Sequence, residues 1–324
     1  MINRFPVRIS LFFLASIVCS GALAADAAHE WLMKINRAAR SLDYEGVFVY
    51  QHEGQLEAMR IFHKVDNKSS MERLVSLNGS PREIIRDNNE VRCYWPDKNS
   101  VTVEHRKQDS TGFPGILPER LLDLHEYYVL SLGNSERITN RVAQLIIIKP
   151  ADNYRYGYQL WADVDTGLLL KADLLDASGR VLEQFMFTQI DIGKKIPIAA
   201  FAPGMSDKSM VWYREAGDTR KTNGRPGWIA TRLPKGYRLS MHLTRQMPMR
   251  KMPVEHLVYT DGLAAVSVFI EKQEIGAKPF TVGPSRMGAV HAMNTRVNDY
   301  QITAVGEVPA ETVAFIGGSV APAP

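Results

Sequence analysis

The sequence predicts an α+β protein with two domains, and three observations support this fold class. Short apolar runs alternate with polar positions between turn signals over residues 44–190, which is the pattern of antiparallel strands. Apolar residues recur at helical spacing in only a few stretches, of which 27–40 is the first. Residues 203–226 are punctuated by glycine and proline, and they separate the long strand region from a shorter one at 227–324.

Residues 1–24 have the pattern of an export signal. Arg4 and Arg8 give a positive start, residues 9–18 form an apolar run too short to span a bilayer, and Ala22-Leu23-Ala24 provides a small-x-small cleavage site. A retained anchor and a lipoprotein modified at Cys19 are the alternatives, the second disfavoured by the residues just before the cysteine. We therefore expect an exported chain in which Cys93 is the remaining cysteine and forms no intramolecular disulfide.

The first domain is expected at residues 25–202. It begins with a helix at 27–40, where Trp31 and Ile35 lie one turn apart. Asn78-Gly79 is a strong hairpin signal, and about ten strands in all indicate a large, strongly curved antiparallel sheet or half-barrel. The strands are expected at 44–50, 56–63, 71–77, 81–86, 90–95, 101–106, 142–148, 154–161, 168–175 and 181–190.

An apolar insertion at 110–128 interrupts this sheet. A loop rich in proline and glycine leads into a helix whose apolar residues are spaced by three or four positions, up to Tyr128. The insertion either covers an apolar cavity as a lid or fills the sheet's concave face permanently. An open cavity would accept an acyl chain, since burial yields about 0.8 kcal/mol per methylene. The candidate lipid-cavity residues are Trp31, Ile35, Phe113, Ile116, Leu117, Leu121, Leu124 and Tyr128.

Residues 203–226 are expected to be a linker, and residues 227–324 to form a small α+β domain with a helix at 309–316. Aromatic and basic residues are scattered through this second domain. Basic groups beside an apolar pocket suit an acidic peptide or a phosphorylated amphiphile, although they could equally form a solvated face. The candidate partner-binding residues are Trp228, Tyr237, Arg238, Arg245, Arg250 and Tyr259.

The sequence shows no pattern of a catalytic centre. It contains no Gly-x-Ser-x-Gly elbow, no P-loop and no dinucleotide-binding glycine motif, and its eight histidines lack zinc-ligand spacing. Three methionines at 247, 249 and 252 have a spacing that suits copper(I), but the neighbouring Arg250 and Lys251 oppose a cation. A net charge of +4 is too small to indicate a nucleic-acid-binding protein. We predict a binding protein without catalytic residues, metal or cofactor; an unrecognised hydrolase is a minor alternative.

A series of short motifs resembles the periplasmic anti-sigma-factor regulators called RseB and MucB. The resemblance covers nearly the whole chain after the leader, in order. The motifs are SLDY at 41–44, LNGSPREI at 77–84, RYGYQLWAD at 155–163, LLDASG at 174–179, LEQF at 182–185, LPKGY at 233–237, YTDGL at 259–263 and GEVP at 306–309.

The resemblance implies a first domain like the lipoprotein carrier LolA, an unclosed β-barrel with helices in its cavity. It also implies that the second domain binds the periplasmic part of an RseA- or MucA-type membrane anti-sigma factor and shields it from site-1 proteolysis. Lipopolysaccharide or lipoprotein acyl chains in the cavity would release that partner. The implied location is the periplasm, and a homo-oligomer stays open. The alternative is a periplasmic lipid or lipoprotein carrier, since the fold alone suits it equally.

Overall fold

A computed structural model describes residues 18–66, 69–87, 90–105, 124–204, 209–214, 219–221, 226–245, 252–273 and 281–324. The helices and strands of that part of the chain are α1 Val18–Ser41, β1 Tyr44–His52, β2 Gln55–Asp66, β3 Ser69–Ser76, β4 Glu83–Asp87, β5 Glu90–Trp95, β6 Ser100–His105, β7 Tyr128–Ile138, β8 Arg141–Pro150, β9 Gly157–Asp163, β10 Leu169–Leu175, β11 Val181–Ile192, β12 Val211–Arg214, β13 Thr219–Lys221, β14 Trp228–Ala230, β15 Arg238–Arg245, β16 Val254–Thr260, β17 Ala265–Lys272, β18 Gly283–Met287, β19 Val290–Val297, β20 Tyr300–Gly306, α2 Ala310–Gly317 and β21 Val320–Pro322.

The first domain is built on one twelve-stranded sheet, which we call the first sheet. Its strand order is β12-β6-β5-β4-β3-β2-β1-β11-β10-β9-β8-β7. Neighbouring strands run antiparallel except β12, which lies parallel to β6. The end strands β12 and β7 do not pair with each other, so the sheet is unclosed within the described residues. The predicted fold class, an unclosed antiparallel sheet with a smaller second domain, is confirmed.

Helix α1 packs against the first sheet and confirms the helix predicted at 27–40. It contacts β7 and β8, and its residues Ala28, Leu32, Ile35 and Ala38 are buried in the main hydrophobic core. The spacing of these residues places them on one helix face, and burying each larger side chain contributes about 1.5–3 kcal/mol. The helix starts at Val18, inside the segment predicted as a leader, so cleavage of a leader stays a prediction.

The insertion predicted as a lid lies mostly outside the described residues. Its last part forms a short 3-10 helix at Leu124–Glu126. Strand β7 then begins at Tyr128, where the helix was predicted to continue. The prediction of helix at Tyr128 was therefore wrong, and β7 itself was missed. This strand carries an irregularity between Leu132 and Ser135, which breaks the regular alternation that identifies a strand.

The second domain has its own core between a seven-stranded antiparallel sheet and α2. The strand order is β13-β15-β16-β17-β20-β19-β18, and α2 packs on β19 and β20. The segment predicted as a linker contributes strands to both domains: β12 extends the first sheet, and β13 pairs with β15. The chain therefore crosses between the domains while bonded to a sheet on each side. Among the described residues, no helix combines the length and apolar character needed to cross a membrane.

Candidate functional site

The two domains meet along an interface at which several of the sequence motifs come together. From the first domain come residues 124–128 and 152–156, and from the second come the turns at 234–237 and 261–264. We call Tyr127, Tyr128, Arg155, Tyr237 and Asp261 the interdomain joint.

Asp261 is the centre of the interdomain joint, and its two carboxylate oxygens serve different domains. Oδ1 accepts hydrogen bonds from the amides of Leu263 at 2.9 Å and Ala264 at 2.8 Å, which shapes the turn between β16 and β17. Oδ2 accepts from Arg155 Nε at 2.7 Å and from the Tyr128 hydroxyl at 3.0 Å. The side chains of Arg155 and Asp261 are both fully buried. One carboxylate therefore holds a turn of the second domain and two side chains of the first.

Every edge of the Arg155 guanidinium is engaged. Nη1 donates to Asp152 at 2.5 Å, and Nη2 donates to the carbonyl oxygen of Lys235 in the second domain. Burial opposes the charge, but the hydrogen bond and charge of Asp261 outweigh it, so the pKa of Arg155 is raised. The guanidinium carbon lies over three rings, at 5.0 Å from the centroid of Tyr127, 5.6 Å from Tyr128 and 5.3 Å from Tyr237. These contacts hold the buried guanidinium of Arg155 in one position between the two domains.

Shape complementarity supports the joint beside this ion pair. Gly236 has a φ of +88°, and a Cβ atom placed there would lie 2.5 Å from the Tyr127 ring. The carbonyl oxygen of Tyr154 accepts from the Tyr237 hydroxyl at 3.2 Å and from Thr312 Oγ1 at 2.9 Å. Glycine is therefore required both for the backbone conformation and for the close approach of a ring from the other domain.

A second contact between the domains is made by Tyr156 of the first domain. Its hydroxyl donates to the carbonyl oxygen of Ala289 at 3.2 Å and lies 3.2 Å from His291 Nδ1. Tyr156, Leu174 and Ala289 form a small buried cluster. Burial raises the pKa of Tyr156 to about 12. The phenol therefore stays neutral and donates its hydrogen bond at physiological pH.

A third contact borders an open groove of about 350 Å³ between the domains. Glu53 accepts a hydrogen bond from the amide of Gly288, and Tyr50 donates to Glu183 Oε2. Desolvation, followed by the negative charge of Glu183, raises the pKa of Glu307 in the second domain to about 7.

The structure places the predicted lipid-cavity residues unevenly. Ile35, Leu124 and Tyr128 are buried in the main core, and Trp31 is partly buried against it. Leu124 and Tyr128 also reach the second domain, because Leu124 lies beside Gly262 and Tyr128 bonds to Asp261. Contact with a lipid stays a prediction for all of them. The other four candidates lie outside the described residues, namely Phe113, Ile116, Leu117 and Leu121.

The predicted partner-binding residues fall into three groups. Trp228, Tyr237 and Tyr259 are buried in the second core, and the Tyr259 hydroxyl accepts from the amide of Ala230 at 2.7 Å. These three aromatic residues hold the domain together in this conformation, and their contact with a partner stays a prediction. Arg238 is exposed on β15, and its contact with a partner also stays a prediction. Arg250 and the side chain of Arg245 lie outside the described residues.

The sequence did not predict the interdomain joint, although Arg155 and Asp261 lie in two of the motifs named above, at 155–163 and 259–263. Arg155 and Asp261 are 106 residues apart, so no local pattern connects them. The available signal was a charged residue between two tyrosines in an otherwise strand-like segment. In the part of the chain that the structure describes, no group of three or more His, Cys, Asp or Glu residues could hold a metal ion.

Comparison with known proteins identifies the family to which this two-domain arrangement belongs. A family model described as the MucB/RseB N-terminal domain matches residues 27–205, and one described as the MucB/RseB C-terminal domain matches residues 222–321. The chain belongs to the MucB/RseB family. It is 30% identical to the sigma factor AlgU regulatory protein MucB of Pseudomonas aeruginosa, over 96% of each chain. It is 27% identical to the sigma-E factor regulatory protein RseB of Escherichia coli K12, over 96% of this chain and 97% of that one.

Solved structures of the family have the same overall arrangement. The crystal structure of MucB in complex with MucA(peri) superposes with a TM-score of 0.71 at 30% identity, over 92% of this chain and 99% of that one. A crystal structure of MucB alone gives a TM-score of 0.62 at 28% identity, over 92% of this chain and 98% of that one. This chain therefore spans essentially the whole length of relatives whose names describe regulation of a sigma factor.

Proposed function

We propose that this chain is a periplasmic regulator that binds the periplasmic part of a MucA- or RseA-type membrane anti-sigma factor. The observation that carries the proposal is the full-length similarity, at a TM-score of 0.71, to MucB in complex with MucA(peri). MucB is named a sigma factor AlgU regulatory protein, and this name supports a role for the present chain in regulating a sigma factor. By covering its partner, this protein would protect the anti-sigma factor from the first proteolytic cut. The export signal at residues 1–24 supports the location.

The second domain is the proposed partner-binding unit. Arg238 is exposed at the start of β15, and the neighbouring Leu239 keeps 39% of its surface exposed. A basic group beside an exposed aliphatic side chain suits a peptide with acidic and apolar residues. All three aromatic candidates are buried, so binding in this conformation would rely on such exposed side chains.

The first domain is the proposed sensor of a lipid signal such as lipopolysaccharide or a lipoprotein acyl chain. Leu124 and Tyr128 belong to its core and touch the second domain at Gly262 and Asp261. A ligand that rearranged this core would therefore act on the interdomain joint directly. Coupling between two sites is reciprocal in free energy, so lipid that releases the partner must itself bind less tightly when the partner is present.

Partner capture tests the proposed function. The full-length mature protein is immobilised, and the periplasmic segment of its membrane anti-sigma factor is added with and without purified lipopolysaccharide. We expect capture without the lipid and release with it. Failure to capture the segment at micromolar concentration would refute the regulatory function. Capture that lipopolysaccharide leaves unchanged would refute the lipid signal alone, and transfer of lipid between vesicles without capture would favour a carrier.

A further inference from the structure

The segment between the two domains is attached to both of them at four places along its described part. The Gly204 amide donates to the buried carboxylate of Glu83 in the first domain at 3.1 Å, and β12 then pairs with β6. In the second domain, β13 pairs with β15, and the Gly227 amide donates to Glu255 Oε1 at 2.9 Å. One domain can therefore move relative to the other only as far as these attachments permit.

The pairing of β12 with β6 is a weak attachment. It covers four residues, Val211–Arg214, and all of them are exposed. It is parallel in a sheet whose other described pairs are antiparallel, and parallel pairs are slightly less stable per residue. The ion pair between Arg214 and Glu90 at 3.6 Å adds little, because both side chains reach solvent. Strand β13 is one residue shorter, but it pairs antiparallel, so we expect β12 to separate first.

Side-chain packing makes this attachment all or none. The Trp212 ring lies edge to face with Tyr94, with 6.3 Å between the ring centroids. Tyr94 belongs to a small buried cluster on the first sheet, whose other members are Ile85, Val101 and Val103. The Val211 amide donates to the carbonyl oxygen of Asn99 at 2.9 Å, and Asn99 Nδ2 donates to that of Ser209 at 3.1 Å. Departure of β12 would break these contacts together, so the strand has two discrete positions, on β6 or away from it.

The short distance along the chain between β12 and β13 couples this strand to the positions of the domains. Arg214 ends β12 and Thr219 begins β13, so a fully extended chain spans at most about 18 Å between their Cα atoms. When the edges of β6 and β15 move farther apart than this, one of the two strands must leave its sheet. We propose that β12 is a releasable strap, which stays on β6 while the domains are joined and leaves β6 when they separate.

Release of the strap would change the surface of the first domain. It uncovers one edge of β6 and one side of the cluster around Tyr94, so unpaired backbone groups and apolar side chains then meet solvent. Coupling between two events is reciprocal in free energy, so a strap fixed on β6 must favour joined domains. The proposal goes beyond the proposed function, because it concerns separation of the domains in the absence of any partner.

A reversible cross-link on the strap tests this coupling. Ser100 of β6 and Val211 of β12 are register partners, and adjacent strands place their Cα atoms about 4.8 Å apart, within the range that a disulfide bridges. Both are replaced, as Ser100→Cys and Val211→Cys, in the full-length mature protein, with Cys93→Ala to remove the remaining native thiol. Asp261→Asn is added to weaken the interdomain joint.

Amide hydrogen exchange, followed by mass spectrometry, reports on both the strap and the interface. One reporter is β12 itself, and the other is the Gly288 amide, which donates to Glu53 across the interface. Without the disulfide, weakening of the joint should speed exchange at both reporters about tenfold or more. With the disulfide formed, exchange at Gly288 should slow about tenfold, and reduction of the same sample should reverse this change.

A matched cross-link controls for the disulfide itself. Thr102→Cys, made with the native Cys93 and Asp261→Asn, joins β6 to β5 at another register pair, so it should not slow exchange at Gly288. Gly236→Ala replaces Asp261→Asn should that variant fail to fold, because it weakens the joint less. Equal exchange at Gly288 in the oxidised and reduced protein, or faster exchange at β13 while β12 stays protected, would overturn the proposal and leave the proposed function untouched.

Discussion

Asp261 both shapes the turn between β16 and β17 and binds two side chains of the first domain. Replacing it with asparagine should separate these two roles. The substituted side chain can still present an oxygen to the Leu263 and Ala264 amides, so the turn between β16 and β17 should persist. Its amide nitrogen would face Arg155 Nε and the Tyr128 hydroxyl, which both need an acceptor. We therefore expect the second domain to stay folded while the interdomain joint is lost.

The magnitude follows from the burial of both charges. The side chains of Arg155 and Asp261 are fully buried, with Nε and Oδ2 2.7 Å apart, and removing one partner of a buried pair costs about 3–5 kcal/mol. The lower part of this range applies, because the partly exposed Asp152 still pairs with Arg155. The Tyr128 hydroxyl loses its acceptor in the same step, at about 1–3 kcal/mol, and the two costs overlap because they share one carboxylate oxygen. We expect a total loss of about 4 kcal/mol in the free energy of unfolding.

Urea unfolding at neutral pH measures this loss, with separate probes for the two domains. In wild type the domains should unfold together, and in Asp261→Asn the two transitions should part. The matched control is Arg180→Met, which removes an exposed ion pair at 3.0 Å near the same interface and should cost less than about 1 kcal/mol. Combining Asp261→Asn with Arg155→Met should recover about 2 kcal/mol of the expected sum. A loss below about 1 kcal/mol, or no coupling in the double variant, would refute a buried joint.

Three further predictions follow from the same interface and from the exposed face of the second domain. Gly236→Ala should cost about 2 kcal/mol in urea unfolding, because the added carbon meets the Tyr127 ring and the backbone is left-handed; an unchanged midpoint would mean that the ring is free to move. Tyr156→Phe should lower stability by about 1 kcal/mol through loss of the bond to Ala289, and an unchanged unfolding midpoint would mean that this bond does not stabilise the interface. Arg238→Glu should weaken capture of the anti-sigma segment about fivefold, or about 1 kcal/mol, with unfolding unchanged; equal capture would exclude this face.

Much of the fold could be predicted because it is encoded locally. The strands of the first sheet follow alternation of period two, and most connect through short turns that carry their own residue signals. Helix α1 was predicted from apolar spacing, and the structure buries Leu32 and Ile35 on one face. Strand β7 was missed because its irregularity breaks the alternation. Strands β12 and β13 were read as linker because three or four residues are too few to show a period.

The candidate site was harder to predict, because its residues are distant in sequence and their burial differs from what their residue types suggest. Trp228, Tyr237 and Tyr259 are buried in the second core, a position that the sequence analysis did not predict for them, and their contact with a partner stays a prediction. An aromatic side chain has the same local pattern on an exposed face and in a small core, so only packing distinguishes the two. Arg155 was overlooked for the opposite reason, since a charged residue is expected at the surface and this one is fully buried.

A buried ion pair is a poor way to gain stability but a good way to define a geometry. Apolar residues of similar volume would hold two domains equally well or better, and they would tolerate many relative orientations. Arg155 and Asp261 require one orientation, because the guanidinium must also reach Lys235 and Asp152. For a binding regulator, a defined but breakable orientation is what allows a change in the first domain to alter a surface on the second, since two discrete arrangements are needed before any signal can favour one of them.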